Sequence, residues 1–366
     1  MRKLTRLVII GAVGVLALAL SAPALAAFTP RLDVSVPNGL GVSGQVKVHL
    51  AVGPTDDATA QLSSYAPGGF TVNPGSPGAT IGRAAVRVLA ADLAGAILPV
   101  AGTIEVRAAT GTALVGGVPV PLAQLAVACT GTTTHTAYWI IKVSVAGSTI
   151  ELPSFFDLTT GAEQALGSSK VTFCGQPNDV PQGTPGRAPL GIKLVDTTLT
   201  FNRGVFTNPR AVGAYLWTSI WTPYNPGVGT PNAAGTVSSV SLTPLPVLLS
   251  LRGSYSKPTK SAVLAGRISI AGVFTAGVTL PLFSGAKRTG LRRSGRTNGT
   301  KANGAFTAVK KMVRTTYYQV RAAIPAVDVP ELCSSVPPNL GLPRCVTSTV
   351  GAFSVLSNIV KVTFRR

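Results

Sequence analysis

Beyond residue 27, apolar and polar residues alternate in short runs, and clusters of Gly, Pro, Asn and Asp separate one run from the next. Alternation puts every second side chain on one face of an extended chain, the mark of a half-buried β-sheet. The pattern predicts strands over Gln45–Val52, Thr103–Ala108, Ala137–Val145, Ser148–Leu152 and Gly213–Thr222, with another over Thr236–Leu242. β-Branched and aromatic residues fill these runs, as pleated surfaces favour. No segment past residue 27 sustains a helical period with charged partners four residues apart, and Val88–Ala94 is the one short helix indicated. Many short strands between turn clusters predict an all-β chain: a large N-terminal β-sandwich region followed by a smaller β-sandwich.

The first 27 residues follow another rule. Arg2, Lys3 and Arg6 precede an uncharged apolar run, Leu7 to Leu20, and Ala24-Leu25-Ala26 lies in a small-residue segment ending at Ala27. Basic n-region, apolar h-region and A-x-A site are the parts of a secretory signal peptide, with cleavage after Ala26 or Ala27. A helix over that run would cover only about 21 Å of a roughly 30 Å hydrocarbon core, too little for an anchor. The expectation is a secreted, extracellular protein without a transmembrane segment after cleavage. With no cysteine at the cleavage site and no LPxTG pattern near the end, association with the cell wall would be non-covalent.

Two prolines, Pro244 and Pro246, follow the run ending at Leu242. Proline interrupts strand pairing and stiffens linkers, so 244–246 is read as the boundary between a domain over 28–243, one sandwich or two smaller ones, and a domain over 247–366. Each half holds two cysteines, Cys129 and Cys174, then Cys333 and Cys345. In an oxidising compartment an even count indicates disulfides, and proximity favours Cys129–Cys174 and Cys333–Cys345. With only His49 and His135 in the chain and no C-x-x-C spacing, neither a metal site nor any cofactor is expected.

The C-terminal domain carries a resemblance. Ala262-Val-Leu-Ala-Gly-Arg-Ile-Ser-Ile, Ala276-Gly-Val-Thr-Leu-Pro-Leu, Lys301-Ala-Asn-Gly-Ala-Phe306 and Thr315-Thr-Tyr-Tyr-Gln-Val-Arg321 succeed one another. Together they resemble the bacterial Ig-like and carboxypeptidase-regulatory-like modules of exported actinobacterial proteins, over about 247–325. The resemblance implies an Ig-like β-sandwich used as spacer, adhesive unit or binding platform. Asn303-Gly304 suits a type I′ turn, which would bring Phe306 into the core beside Leu264, Val278 or Leu280. Residues 326–346 look like an insertion in that pattern.

Charge changes the picture most. The formal net charge of +20 is unevenly placed. Residues 28–243 hold eleven Lys and Arg against ten Asp and Glu, a net +1, whereas 244–366 hold eighteen against Asp328 and Glu331, a net +16. Thr197 to Val327 contains no carboxylate. Such a domain concentrates polyanions at its surface. The densest stretch is Lys287, Arg288, Arg292, Arg293, Arg296, Lys301, Lys310, Lys311 and Arg314, opening in a Gly-, Ser- and Thr-rich segment, Gly285 to Gly304, that reads as a mobile loop. Solubility alone would not demand the loss of every acid over 131 residues. For an exported chain the anion is an envelope phosphate polymer, an acidic glycan or an anionic lipid headgroup, and no motif for sequence-specific nucleic-acid readout is present.

Residues for catalysis are few. His135 could be combined with Ser154 and Asp157, but no G-x-S-x-G elbow accompanies them, so His135 reads as a strand-edge residue and His49 as an alternating strand residue. Glu151, Asp157 and Glu163 cluster in sequence, as glycosidase carboxylates must in space. Asp56-Asp57 reads as a loop cap with at most weak affinity for calcium. Tyr215, Trp217 and Trp221 share one strand face and Tyr224 follows. Exposed, Trp217, Trp221 and Tyr224 would make a glycan-stacking platform; buried, they are core, the favoured reading for a large sandwich. The reading as a whole is a non-enzymatic, envelope-associated protein whose basic Ig-like domain contacts anionic polymer, set against a glycan-binding module and a hydrolase with an unrecognised site.

Overall fold

The computed structural model describes residues 28–365 apart from Asn38, 146–147, Pro246, 271–272, Thr275, 334–344 and Gly351. The signal-peptide reading of residues 1–27 lies outside the described residues. Strands β1 (Arg31–Ser35), β2 (Val46–Ala51), β3 (Thr59–Ala66), β4 (Thr71–Val72), β5 (Thr80–Ala90) and β6 (Ala96–Arg107) come first. A hairpin of β7 (Thr112–Val115) and β8 (Val118–Pro121) leads into helix α1 (Leu122–Thr130). Then follow β9 (Ala137–Val145), β10 (Ser148–Leu158), β11 (Ser169–Cys174), β12 (Ile192–Phe201), β13 (Phe206–Thr207), β14 (Gly213–Pro223) and β15 (Val237–Leu245).

Eleven of these strands form one antiparallel sheet in the order β1-β2-β12-β5-β6-β9-β10-β11-β3-β14-β15. The sheet curls until its terminal strands meet, with the Val34 N–H donating to Ser241 Oγ at 2.8 Å across the seam between β1 and β15. Closure hides sheet edges that would otherwise offer unpaired backbone groups. The chain is thus all-β, and its N-terminal region is a pair of facing layers cut from one curled sheet. Alternation does the sorting: in β5, Val86 and Val88 are buried while Arg83 and Arg87 are exposed. Across the interior, the Trp139 ring meets Phe201 at 5.5 Å and Phe206 meets Trp217 at 5.8 Å.

A second, smaller core lies outside this wall. Leu122 and Ala126 of α1 pack with Ala113, Tyr138, Ile140 and Phe155 on the outer face of β9 and β10. Cys129–Cys174 ties α1 to β11. The helix was not expected; its buried side is a single i, i+4 pair in an otherwise uncharged stretch, so no helical period stood out. The helix expected over Val88–Ala94 is instead the end of β5 followed by a 3₁₀ turn at Ala91–Leu93.

The C-terminal chain continues as β16 (Val247–Ser256), β17 (Ser261–Ile270), β18 (Val273–Phe274), β19 (Pro281–Gly285), β20 (Arg292–Arg296) and β21 (Ala305–Lys311). It ends with β22 (Thr316–Ile324), β23 (Val327–Cys333), β24 (Cys345–Val350), β25 (Phe353–Leu356) and β26 (Val360–Val362). β16, β17 and β21 make one layer; β20, β19 and β22, with β25 and β26, make the other. Phe306, Leu264 and Leu280 share the core between them, with Val278 packed at its margin. Residues 326–346, set apart by the sequence pattern, hold β23 and the start of β24, which pairs with it through Val350 and is joined to it by Cys333–Cys345.

Two local expectations are corrected. Gly304 alone has positive φ (71°), so the turn is not type I′; its N–H donates to the Lys301 carbonyl at 2.9 Å, and Asn303 Oδ1 accepts from Ala305 N–H. Pro244 does not stop pairing either: it lies within β15, opposite Ala214. At the end of the hydrogen-bonded order, a strand tolerates a residue lacking N–H.

Candidate functional site

The cationic stretch is built on an edge of the C-terminal sandwich. Among the described residues, β20 pairs only with β19 in its layer, and β21 only with β17 in the other. The two edge strands run beside each other: the Asn298 N–H donates to the Thr307 carbonyl at 2.8 Å, and Lys310 Nζ reaches across to the Ser294 carbonyl at 3.0 Å. Eight of the nine cations are exposed, and Lys310 is half-buried by that reach. Gly285 to Gly304 is therefore not one loop, because β20 occupies its centre.

Register determines which cations meet. Lys310, Lys311 and Arg314 lie at the end of this edge where Arg292 and Arg293 begin β20 and the loop bearing Lys287 and Arg288 precedes it. Arg296 and Lys301 stand toward the other end. Two further cations join the tip. β17 pairs Ser261 with Lys311, and the Met312 N–H donates to the Lys260 carbonyl at 2.9 Å, which brings in exposed Lys257 and Lys260 from the β16–β17 turn. They stand about fifty residues upstream of Lys310 and Lys311, so the charge run alone did not reveal them. The tip lies at the end of β16 opposite Val247, where the chain enters the sandwich, a strand length of roughly 30 Å.

The aromatic residues do not form a surface platform. Trp217 (4% exposed), Trp221 (3%) and Tyr224 (9%) are buried. β14 turns its aromatic face inward, where Ser219 and Ser239 hydroxyls accept the Trp221 N–H and Thr243 Oγ1 accepts that of Trp217. Flat stacking on sugar rings needs exposed faces, which these residues lack.

Glu151, Glu163 and Asp157, close in sequence, are each held by a separate side chain. Arg107 grips Glu151, Lys170 Nζ donates to Glu163 Oε1 at 2.8 Å, and His135 Nδ1 lies 2.7 Å from Asp157 Oδ2. Burial alone would raise the Glu151 carboxyl, but Arg107 and the Leu114 N–H hold it below the ordinary value. His135 occupies the loop before β9 rather than a strand edge. Its Nε2 lies 3.0 Å from Thr130 Oγ1, at the C-terminus of α1, and its ring packs on Phe155 and Tyr138. A hydroxyl–imidazole–carboxylate line exists, but the His135 side chain is 1% exposed. Ser154 cannot join it, because Ser154 lies on the inward face of β10 with Phe156, while Asp157 points outward with Phe155.

His49 on β2 lies between Asp33 of β1 (3.4 Å) and Asp196 of β12 (3.1 Å). Partial burial pulls its pKa down, but the two carboxylates outweigh burial and leave it raised. Asp56 closes its own loop, as the sequence indicates: its Oδ2 accepts the N–H groups of Gly53 and Thr29. Among the described residues no group of three or more His, Cys, Asp and Glu is arranged to hold a metal ion, and no helix is long and apolar enough to cross a membrane.

No family model and no curated protein matches this chain. Among solved structures it is similar to domains A168–A170 of titin, at 10% identity over 93% of this chain and 100% of that one. The TM-score of that superposition is 0.17, too low to bear on fold or function.

Proposed function

We propose that this is an exported, non-enzymatic, envelope-associated protein whose C-terminal sandwich contacts anionic surface polymer. One observation carries the reading: Lys257, Lys260, Lys287, Arg288, Arg292, Arg293, Lys311 and Arg314 are exposed together at one end of a folded domain. Nothing acidic in the sequence between Thr197 and Val327 offsets them. Cations presented this way bind repeating phosphate or carboxylate by releasing condensed counterions, without needing a shaped pocket. Two disulfides support an oxidising compartment. Lysine and arginine on edge strands also deter edge-to-edge pairing, so β20 and β21 serve the domain's solubility as well.

The test measures affinity of the full chain for a glycerol-phosphate polymer against salt concentration. Replacing Arg292, Arg293, Lys311 and Arg314 by Gln should lower the slope of log affinity against log salt by about four, near one per lost contact. Replacing Arg83 and Arg87 on the N-terminal sheet should leave it unchanged. A salt-independent affinity, or equal losses from both sets, would overturn the reading.

A further inference from the structure

The interior of the curled N-terminal sheet is not filled by its own side chains. A cavity of about 140 Å³ runs between the two layers. Protein interiors are normally packed to crystal-like density, with few voids larger than a water molecule. Phe206, Trp217 and Trp139 of its wall belong to one hydrophobic cluster, and Phe173 and Trp221 to another. Trp217 and Trp221, four residues apart on β14, mark a length of about 13 Å.

The chemistry of the wall is specific. All three tryptophans line the cavity, yet each ring N–H is already bonded elsewhere: Trp139 to the Pro74 carbonyl (2.9 Å), Trp217 to Thr243 Oγ1 (3.0 Å) and Trp221 to Ser219 Oγ (2.7 Å). The indoles therefore offer carbon surface. A dry cavity of about 150 Å³ lined by Leu, Ile and Phe takes up benzene-sized guests, so the space here suits an apolar group rather than ordered water.

One end of the cavity is polar. Lys193, 7% exposed, lines it and donates from Nζ to the carbonyls of Pro54 (2.7 Å) and Asp56 (2.6 Å). An ammonium has three N–H groups, so one remains. The carboxylates of Asp56, Asp57 and Asp179 all act electrostatically on this lysine. An ionised head would have to leave water for a largely apolar space, whereas a hydroxyl or ester oxygen can accept from Lys193.

We propose that the N-terminal domain is a receptor for one slender, uncharged lipid-like molecule, a medium-chain alcohol or acyl ester. Its chain lies between the tryptophans and its oxygen at Lys193. This site is independent of the cationic tip, and neither requires the other.

The experiment titrates the full, disulfide-bonded chain with 1-decanol and, separately, with decanoate at pH 8, following tryptophan fluorescence and confirming stoichiometry by native mass spectrometry. The expected result is saturable one-to-one binding of 1-decanol, with decanoate at least tenfold weaker. Val171→Phe, which projects a ring into the cavity, should abolish binding while circular dichroism stays native. If that variant fails to fold, Val171→Leu serves instead and should weaken binding several-fold. The four-site Gln variant of the tip should bind 1-decanol like the parent, which separates this site from the polymer contact. No saturable 1-decanol binding, or unchanged binding by a folded Val171→Phe or Val171→Leu chain, would overturn the site; decanoate binding as tightly as 1-decanol would overturn the head-group assignment.

Discussion

Phe306 lies directly over Gly266, so close that a Cβ on Gly266 would overlap both its ring and the Ser250 carbonyl. Phe306 is 2% exposed at the centre of the C-terminal core, and Gly266 sits opposite it in the β17–β21 register. The glycine is there to admit the ring. Gly266→Ala is therefore expected to destabilise the C-terminal sandwich by about 3 kcal/mol, the upper part of the overpacking range, because a backbone oxygen cannot move aside as a side chain can. Urea unfolding of the variant measures it, and a loss under about 0.5 kcal/mol contradicts the close approach.

The two disulfides should contribute unequally. Cys129–Cys174 closes a separation of 45 residues and Cys333–Cys345 one of 12. Loop-closure entropy assigns them about 4 and 3 kcal/mol. Converting each pair to serine and comparing unfolding midpoints should show the larger loss for the first. That bond also fastens α1 over Tyr138 and Phe155, so its removal should increase hydrogen exchange in 122–130 first.

Much of this was legible from residue pattern, because alternation acts locally. Ala137–Val145 is a strand with those ends, and the inward face of β14 follows from Trp217 and Trp221 having the same parity. Closure of the sheet was not legible: β12 pairs with β2 and β5, and Val34 meets Ser241 over 207 residues, relationships no short window contains. For the same reason the charge run was visible but its shape was not. Only the β17–β21 register brings Lys257 and Lys260 to Lys311, and only strand order identifies β20 and β21 as edges. Asn303-Gly304 permits two positive φ values without requiring them, and only Gly304 takes one.

Two titrations of opposite sign should bracket neutral pH. His49 has a raised pKa, so the folded state holds its proton more tightly than the unfolded chain. Its contribution is full below about 6.5, the unfolded value, and disappears as pH rises through the folded one. Glu151, held low by Arg107 and the Leu114 N–H, contributes fully above about 4.5 and loses its contribution as pH falls through its folded value. Melting temperature should thus decline on both sides, with His49→Gln flattening the alkaline limb and Glu151→Gln the acid one. With 36% of the His49 side chain exposed, its effect is screened and should shrink further in high salt.

The His135–Asp157 pair lends itself to a test that separates structure from chemistry. Asp157 accepts from Thr136 N–H at 3.1 Å and faces His135 Nδ1, while Thr130 Oγ1 faces Nε2 and donates to the Ala126 carbonyl at 2.9 Å. The line therefore fastens the C-terminus of α1 to β10, with the imidazole sealed under aromatic rings. If fastening is its role, Asp157→Ala should cost about 1–3 kcal/mol, since it leaves Nδ1 of a buried imidazole without its partner, and Thr130→Val about 1 kcal/mol. A double-mutant cycle with His135→Gln should return a coupling of about 1–2 kcal/mol, as expected for residues in direct contact. A catalytic line would behave otherwise. Thr130→Val would leave stability intact and abolish turnover of an activated ester, whereas the sealed imidazole predicts no turnover in the parent and a stability loss in the variant.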